Sequence, residues 1–152
     1  QARTGQSTAG ATHLIKVAVE AALGKRDRVS IFGTDYDTPD GTGVRDYIHV
    51  TDLAAAHLLA LEALIAQPAR SHLLNCGYGR GFSVLEVLDA VDRATNNPIR
   101  RVMTGRRAGD PGKLISDNSA ILQTFPWQPR YADLDQIVAH ALAWERTLGD
   151  RA

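Results

Sequence analysis

Four stretches of this chain carry apolar residues at helical spacing, and short β-prone runs lie between them. Residues 11–24 place Leu14, Ile15, Val17, Ala18, Ala21 and Ala22 on one stripe, with Thr12 as N-cap and Gly24 where a C-cap glycine belongs. From Thr51 to about Ala66, the residues Leu53, Ala56, His57, Ala60, Leu61 and Leu64 predict a buried face. Ser83 and Glu86 form a capping box ahead of Val84, Leu85, Val87, Leu88 and Val91. From about Asp133 to Leu148 the spacing recurs in Leu134, Ile137, Val138, Ala141, Leu142 and Trp144. The strand candidates are 29–33, a buried run at 72–76, and 99–104, and a short helix is expected over 117–124. The pattern predicts an α/β fold with crossovers, yet the strands are too few for a complete doubly wound sheet.

Length and charge narrow the classes. At 152 residues the chain is one ordinary domain, read as a loop over 1–10 and a folded unit over 11–152. Lys+Arg and Asp+Glu are both 17, which argues against nucleic acid or an acidic membrane as partner. Cys76 stands alone, so no internal disulfide or cysteine zinc cluster forms, and a reducing, cytoplasmic location is expected. No apolar run reaches the length of a membrane span. The polar opening without a start methionine reads as a chain that begins in the middle of something.

Residues 41–53 concentrate the chemistry. A glycine turn leads into an extended segment carrying Arg45, after which Thr51 and Asp52 read as a helix start. An arginine at the mouth of such a strand can grip a diphosphate bidentately. It can equally pair with Asp46 or Asp52 on the surface. Arg106, Arg107 and Asp110 form a second arginine-and-acid loop, suited to a phosphate and to sugar hydroxyls. The run Gly77-Tyr78-Gly79-Arg80-Gly81 lacks the spacing of a dinucleotide fingerprint and reads as a flexible turn. The five histidines show no metal-ligand spacing, Trp127 and Trp144 read as packing anchors, and no general base stands out.

Longer matches then emerge. Residues 31–36 (Ile-Phe-Gly-Thr-Asp-Tyr), 38–43 (Thr-Pro-Asp-Gly-Thr-Gly) and 44–50 (Val-Arg-Asp-Tyr-Ile-His-Val) closely resemble the UDP-glucose 4-epimerases, which are extended short-chain dehydrogenase/reductases. The likeness continues through Asp52-Leu53-Ala54, Leu74-Asn75-Cys76-Gly77, residues 83–87 and residues 106–111. It implies the C-terminal, substrate-binding part of a Rossmann-type enzyme, lacking most of the parallel sheet. The family's NAD-binding glycine motif and Tyr-x-x-x-Lys pair have no counterpart, since Tyr36, Tyr47, Tyr78 and Tyr131 are not followed by lysine four residues on. The resemblance therefore implies no catalytic or cofactor-binding residue in this chain, and NAD held by a missing N-terminal half. Substrates would be UDP-glucose and UDP-galactose, interconverted by hydride removal and return at C4 in an enzyme that is a homodimer when whole.

The resemblance also implies a binding set. His13 and Leu14 stand where the family has an Asn-Leu pair touching diphosphate and uracil. Ser30 and Phe32 present backbone and ring to the uracil. Arg45 and Arg107 grip the diphosphate, Asp110 bonds the ribose, and Leu114 lines the hexose pocket, where side-chain size governs tolerance of N-acetylated sugars. Two other identities remain open at this stage: a stand-alone UDP-sugar-binding module, and a sibling UDP-pentose or UDP-uronate 4-epimerase.

Overall fold

A computed structural model describes residues 5–8 and 10–149 of the chain. In order it contains α1 (Leu14–Ala22), β1 (Val29–Phe32), β2 (Val44–Arg45), α2 (Val50–Ala66), β3 (Phe82–Ser83), α3 (Val84–Thr95), β4 (Arg101–Thr104), β5 (Lys113–Leu114), α4 (Ser119–Thr124) and α5 (Leu134–Gly149). β1 and β4 pair in parallel, from Val29 opposite Arg101 to Phe32 opposite Thr104. A parallel pair needs a crossover, and α3 leads directly into β4. The second sheet has β2 at its centre, antiparallel to β3 and parallel to β5.

The main core lies where α1, α3 and α5 pack on one another and on β1. Ala18, Val19, Ile31, Val87, Leu88, Val91 and Val138 are all at most 1% exposed. Each large side chain so buried contributes about 1.5–3 kcal/mol. Because strand side chains alternate, Val29 and Ile31 face this core while Ser30 and Phe32 face outward. Buried ion pairs tie α1 to α5: Lys16 contacts both Glu20 and Glu145, and Lys25 reaches Glu145 at 2.7 Å. Burial alone would pull the Lys16 pKa down, but the two carboxylates outweigh it and raise it. A second, smaller core gathers Ala56, Ile121, Phe125 and Trp127, with Leu74 and Cys76 against it.

Several expected boundaries move. α1 begins at Leu14 with His13, not Thr12, at its N-cap, because the first helical bond runs from the Val17 N–H to the His13 carbonyl (3.0 Å). α2 is capped by His49, whose Nδ1 accepts the Thr51 N–H (3.1 Å), so Thr51 and Asp52 lie in its first turn. Its expected buried face is mostly open. Ala56 is buried and Leu53 and Ala60 are half-buried, but His57, Leu61 and Leu64 are exposed. The buried strand expected over 72–76 does not form, and Leu73 is 99% exposed. A run of apolar residues forms a strand only where a neighbouring strand takes its backbone groups, and none lies beside it among the described residues. The strand expected from Ile99 begins at Arg101, since the Ile99 N–H is drawn to the Asp92 carboxylate (2.9 Å). α4 begins at Ser119 rather than Asp117, whose carboxylate accepts the Ser119 N–H (3.0 Å). Of the expected opening loop, residues 5–8 carry no regular structure, and residues 1–4 and 9 lie outside the described residues.

Candidate substrate-binding site

The loop that delivers Arg45 is fastened from within. Asp40 Oδ1 accepts both the backbone N–H and the hydroxyl of Thr42, each at 2.8 Å, while Oδ2 accepts the Ser83 hydroxyl. Burial opposes the Asp40 charge, but the Ser83 and Thr42 bonds outweigh it and hold its pKa below the usual carboxylate range. Gly41 takes φ +78°, and a methyl group there would strike the Thr34 carbonyl, so the turn requires glycine. Ser83 also caps α3: its hydroxyl accepts the Glu86 N–H (3.0 Å) and its N–H donates to Glu86 (2.7 Å). The capping box therefore anchors the loop as well as the helix.

Arg45 has no acidic partner among the described residues. Its Nη1 donates to the Val44 carbonyl (2.8 Å), and it takes part in none of the ion pairs. The surface pairing with Asp46 or Asp52 is thus not made, because both acids are engaged by other groups. Asp46 accepts three backbone N–H groups, from Tyr78 (3.0 Å), Gly79 (3.0 Å) and Ser116 (3.3 Å). Asp52 is 2% exposed and accepts from Arg130 N–H (3.0 Å), Tyr131 N–H (2.8 Å) and the Tyr78 hydroxyl (2.6 Å). Burial would raise the Asp52 pKa, but these donors lower it. Arg45 and Leu114 face each other in the β2–β5 register, and Leu114 is 60% exposed. Next along, burial pushes the Tyr47 pKa up to about 12, against a smaller opposing effect of the Arg45 charge.

Phe32, Arg107 and Asp110 come together. The Arg107 guanidinium lies 4.5 Å from the centre of the Phe32 ring, and its Nε donates to Asp110 (2.8 Å). A planar cation on an aromatic face is an attractive contact. Ser30 shares the outward face of β1 with Phe32. Arg106 is a brace: its Nε bonds Asp35 (2.7 Å) and its guanidinium covers the Tyr36 ring at 4.2 Å.

His13 and Leu14 sit apart from this group in their contacts. Leu14 packs against the main core, and His13 Nδ1 bonds Gln6 (2.8 Å) at the rim of a cavity of about 950 Å³. That cavity is also lined by Lys16, His49, Tyr131 and His140. His49 stacks on Tyr131 with ring centres 4.5 Å apart, and its Nε2 lies 2.9 Å from His140 Nδ1. Since His49 Nδ1 accepts from Thr51, its Nε2 carries the proton toward His140. Sequence reasoning missed this cluster and the Asp46 and Asp52 hubs. Their members are up to 91 residues apart, and no spacing rule connects them.

Residues 3–77 match the model of the NAD dependent epimerase/dehydratase family. The UDP-glucose 4-epimerase of Azospirillum brasilense is 52% identical over 146 residues, covering 96% of this chain and 42% of that protein. A crystal structure of a UDP-glucose 4-epimerase superposes with TM-score 0.90 at 42% identity, covering 96% of this chain and 44% of the other. Residues 3–77 are thus similar to the NAD dependent epimerase/dehydratase family, and nearly the whole chain to a UDP-glucose 4-epimerase. The UDP-glucose 4-epimerase of Bifidobacterium longum, in complex with NAD+ and UDP, matches at 36% identity and TM-score 0.80, over 91% of this chain and 40% of that one. The chain spans less than half the length of the relatives it matches.

NAD, the cofactor of this family, does not fit the one glycine-rich turn that leads into a helix. The N–H groups of Tyr78 and Gly79 there already hold the Asp46 carboxylate, and a methyl group at Gly81 would lie 2.5 Å from Val44 and 2.6 Å from Ile115. The turn thus spends those two N–H groups on its own carboxylate rather than presenting them to a pyrophosphate. Burial, with Asp46 and Asp52 nearby, pushes the Cys76 thiol pKa up, away from a reactive thiolate. Among the described residues no group of three His, Cys, Asp or Glu could hold a metal, and no helix is long and apolar enough to cross a membrane.

Proposed function

We propose that this chain is the part of a UDP-glucose 4-epimerase that holds the UDP-sugar, in an enzyme interconverting UDP-glucose and UDP-galactose. The observation that carries this is Arg45, a cation without an acidic partner among the described residues, which faces Leu114 across the ladder and whose neighbouring acids are engaged by other groups. Arg45 and Arg107 would take the diphosphate, and Asp110 the ribose hydroxyls. Ser30 and Phe32 would meet the uracil, His13 and Leu14 its diphosphate end, and Leu114 the hexose. NAD and the reacting acid–base pair would come from outside this chain, consistent with the occupied glycine turn.

The rest of such an enzyme also supplies a reason for the open face of α2. Val50, Leu58, Leu61 and Ile65 of α2 are 54–71% exposed and recur at helical spacing, an apolar side that another part of the protein would cover. Assembly of the whole as a homodimer, and a cytoplasmic location suited to a lone thiol, belong to the same reading.

Two measurements test it. Titration of the chain with UDP should show binding, and Arg45→Ala should weaken it by about 1.5–3 kcal/mol, as loss of a charged hydrogen-bond partner does. Unchanged affinity would sink the assignment of Arg45. Grafting this chain onto the remaining part of the Azospirillum brasilense relative should give an enzyme that converts UDP-galactose to UDP-glucose. A folded graft that binds UDP without converting it would favour a sibling specificity or a binding module instead.

A further inference from the structure

Asp46 is the nearest acid to Arg45 in sequence, yet its carboxylate faces away from that partnership. Oδ1 accepts the Tyr78 N–H, and Oδ2 accepts the N–H groups of Gly79 and Ser116. Backbone donors gathered on a carboxylate make strong, directional bonds. They come from two separate segments, the turn at 77–79 and the first residues after β5. Ser116 lies two residues beyond Leu114, and Asp46 one beyond Arg45, so this knot closes the ladder at the Arg45–Leu114 pair. The turn is shaped around the carboxylate. A methyl group at Gly77 would lie 2.5 Å from Asp46 Oδ2, and Asn118 holds the Gly77 carbonyl from the other side (2.9 Å).

We propose that Asp46 is a positioning residue for the diphosphate of the ligand. By committing its oxygens to Tyr78, Gly79 and Ser116 it pins the end of β2 beside β5 and leaves the Arg45 guanidinium to the phosphates. The inference rests on Arg45 gripping a diphosphate, and on that alone.

The test compares UDP with uridine, which lacks the phosphates, in titrations of the chain. Asp46→Asn keeps one acceptor oxygen and places an N–H₂ against a backbone N–H, so the knot loosens. It should cut UDP affinity roughly tenfold while leaving uridine affinity near its original value. In an Arg45→Ala background the same substitution should change UDP affinity little, since residues acting through one another are not additive. Asp46→Ala should follow the same pattern with a larger effect; if it does not fold, Asp46→Asn carries the measurement. Equal losses for UDP and uridine, or an undiminished loss in the Arg45→Ala background, would overturn the proposal in favour of a purely structural Asp46. If the unsubstituted chain shows no preference for UDP over uridine, the diphosphate reading of Arg45 fails, and this inference with it.

Discussion

α2 and α3 are both rich in apolar residues and meet opposite fates in the fold: α3 gathers its apolar residues on one stripe, whereas α2 is apolar nearly all round. On α3, Val87, Leu88, Ala90 and Val91 are sealed between α1 and α5. On α2 only Ala56 is buried among the apolar residues, and Leu58, Leu61 and Ile65 remain in solvent. Helical spacing records which face is apolar; it says nothing about what lies opposite. α3 finds its cover within this chain. α2 finds cover along one side only, where Ala56, Leu59, Ala60 and Ala63 pack with Ile121, Phe125 and Trp127. It is fastened at its first turn, where Asp52 ties it to residues 130–131 and Tyr78 and where the Trp127 indole donates to the Asp52 carbonyl (3.0 Å).

The contrast is open to direct attack. The largest effect is expected from Leu88→Ala, which empties the main core and should cost about 2–5 kcal/mol in chemical denaturation. Leu61→Ala should stay within about 0.5 kcal/mol in the same assay. A comparable loss at both positions would mean that α2 is covered after all.

Next comes Asp52→Ala. It leaves two backbone N–H groups and the Tyr78 hydroxyl without their acceptor, and about 2–3 kcal/mol should be lost. Hydrogen exchange should place that loss in α2 and residues 127–131 while α3 stays protected. Ser83→Ala is the matching test on α3. Loss of the capping box should cost about 1–2 kcal/mol, with the 34–43 loop loosened because Asp40 loses its hydroxyl partner.

The smallest effect is a pH dependence confined to the start of α2. Burial, reinforced by the nearness of the His140 ring, depresses the His49 pKa, against the opposing pull of Asp52. A group with a depressed folded pKa stabilises the fold above its unfolded value, about 6.5, and that stability is lost as pH falls through the lower folded value. Protonation also removes the Nδ1 acceptor that caps Thr51. Stability measured between pH 7 and 5 should fall, and His140→Ala should flatten the slope. An identical slope in that variant would remove His140 from the account.

Much of the fold was legible locally. The capping box at Ser83 and Glu86, the C-terminal glycine of α1 and the strand at 29–32 all stand as the residues imply, because each rests on neighbours within four positions. Of the proposed binding set, the two arginine loops stood out from residue chemistry and the rest came from resemblance; the structure brings Phe32, Arg107 and Asp110 into contact, and Arg45 beside Leu114. Run 72–76 was misread because β-prone composition does not reveal whether a partner strand exists.

Sequence by itself determined the apolar faces, the helix starts at α3 and the turns that need glycine, since those are short-range consequences of backbone geometry. Tertiary structure alone decided that Arg45 has no acidic partner among the described residues. Asp46 and Asp52 stand one and seven positions away and would be its natural partners in an isolated segment. In the fold, backbone N–H groups from residues 78–79, 116 and 130–131 reach those carboxylates first, and several part-buried donors left together without an acceptor would cost more than a surface ion pair returns.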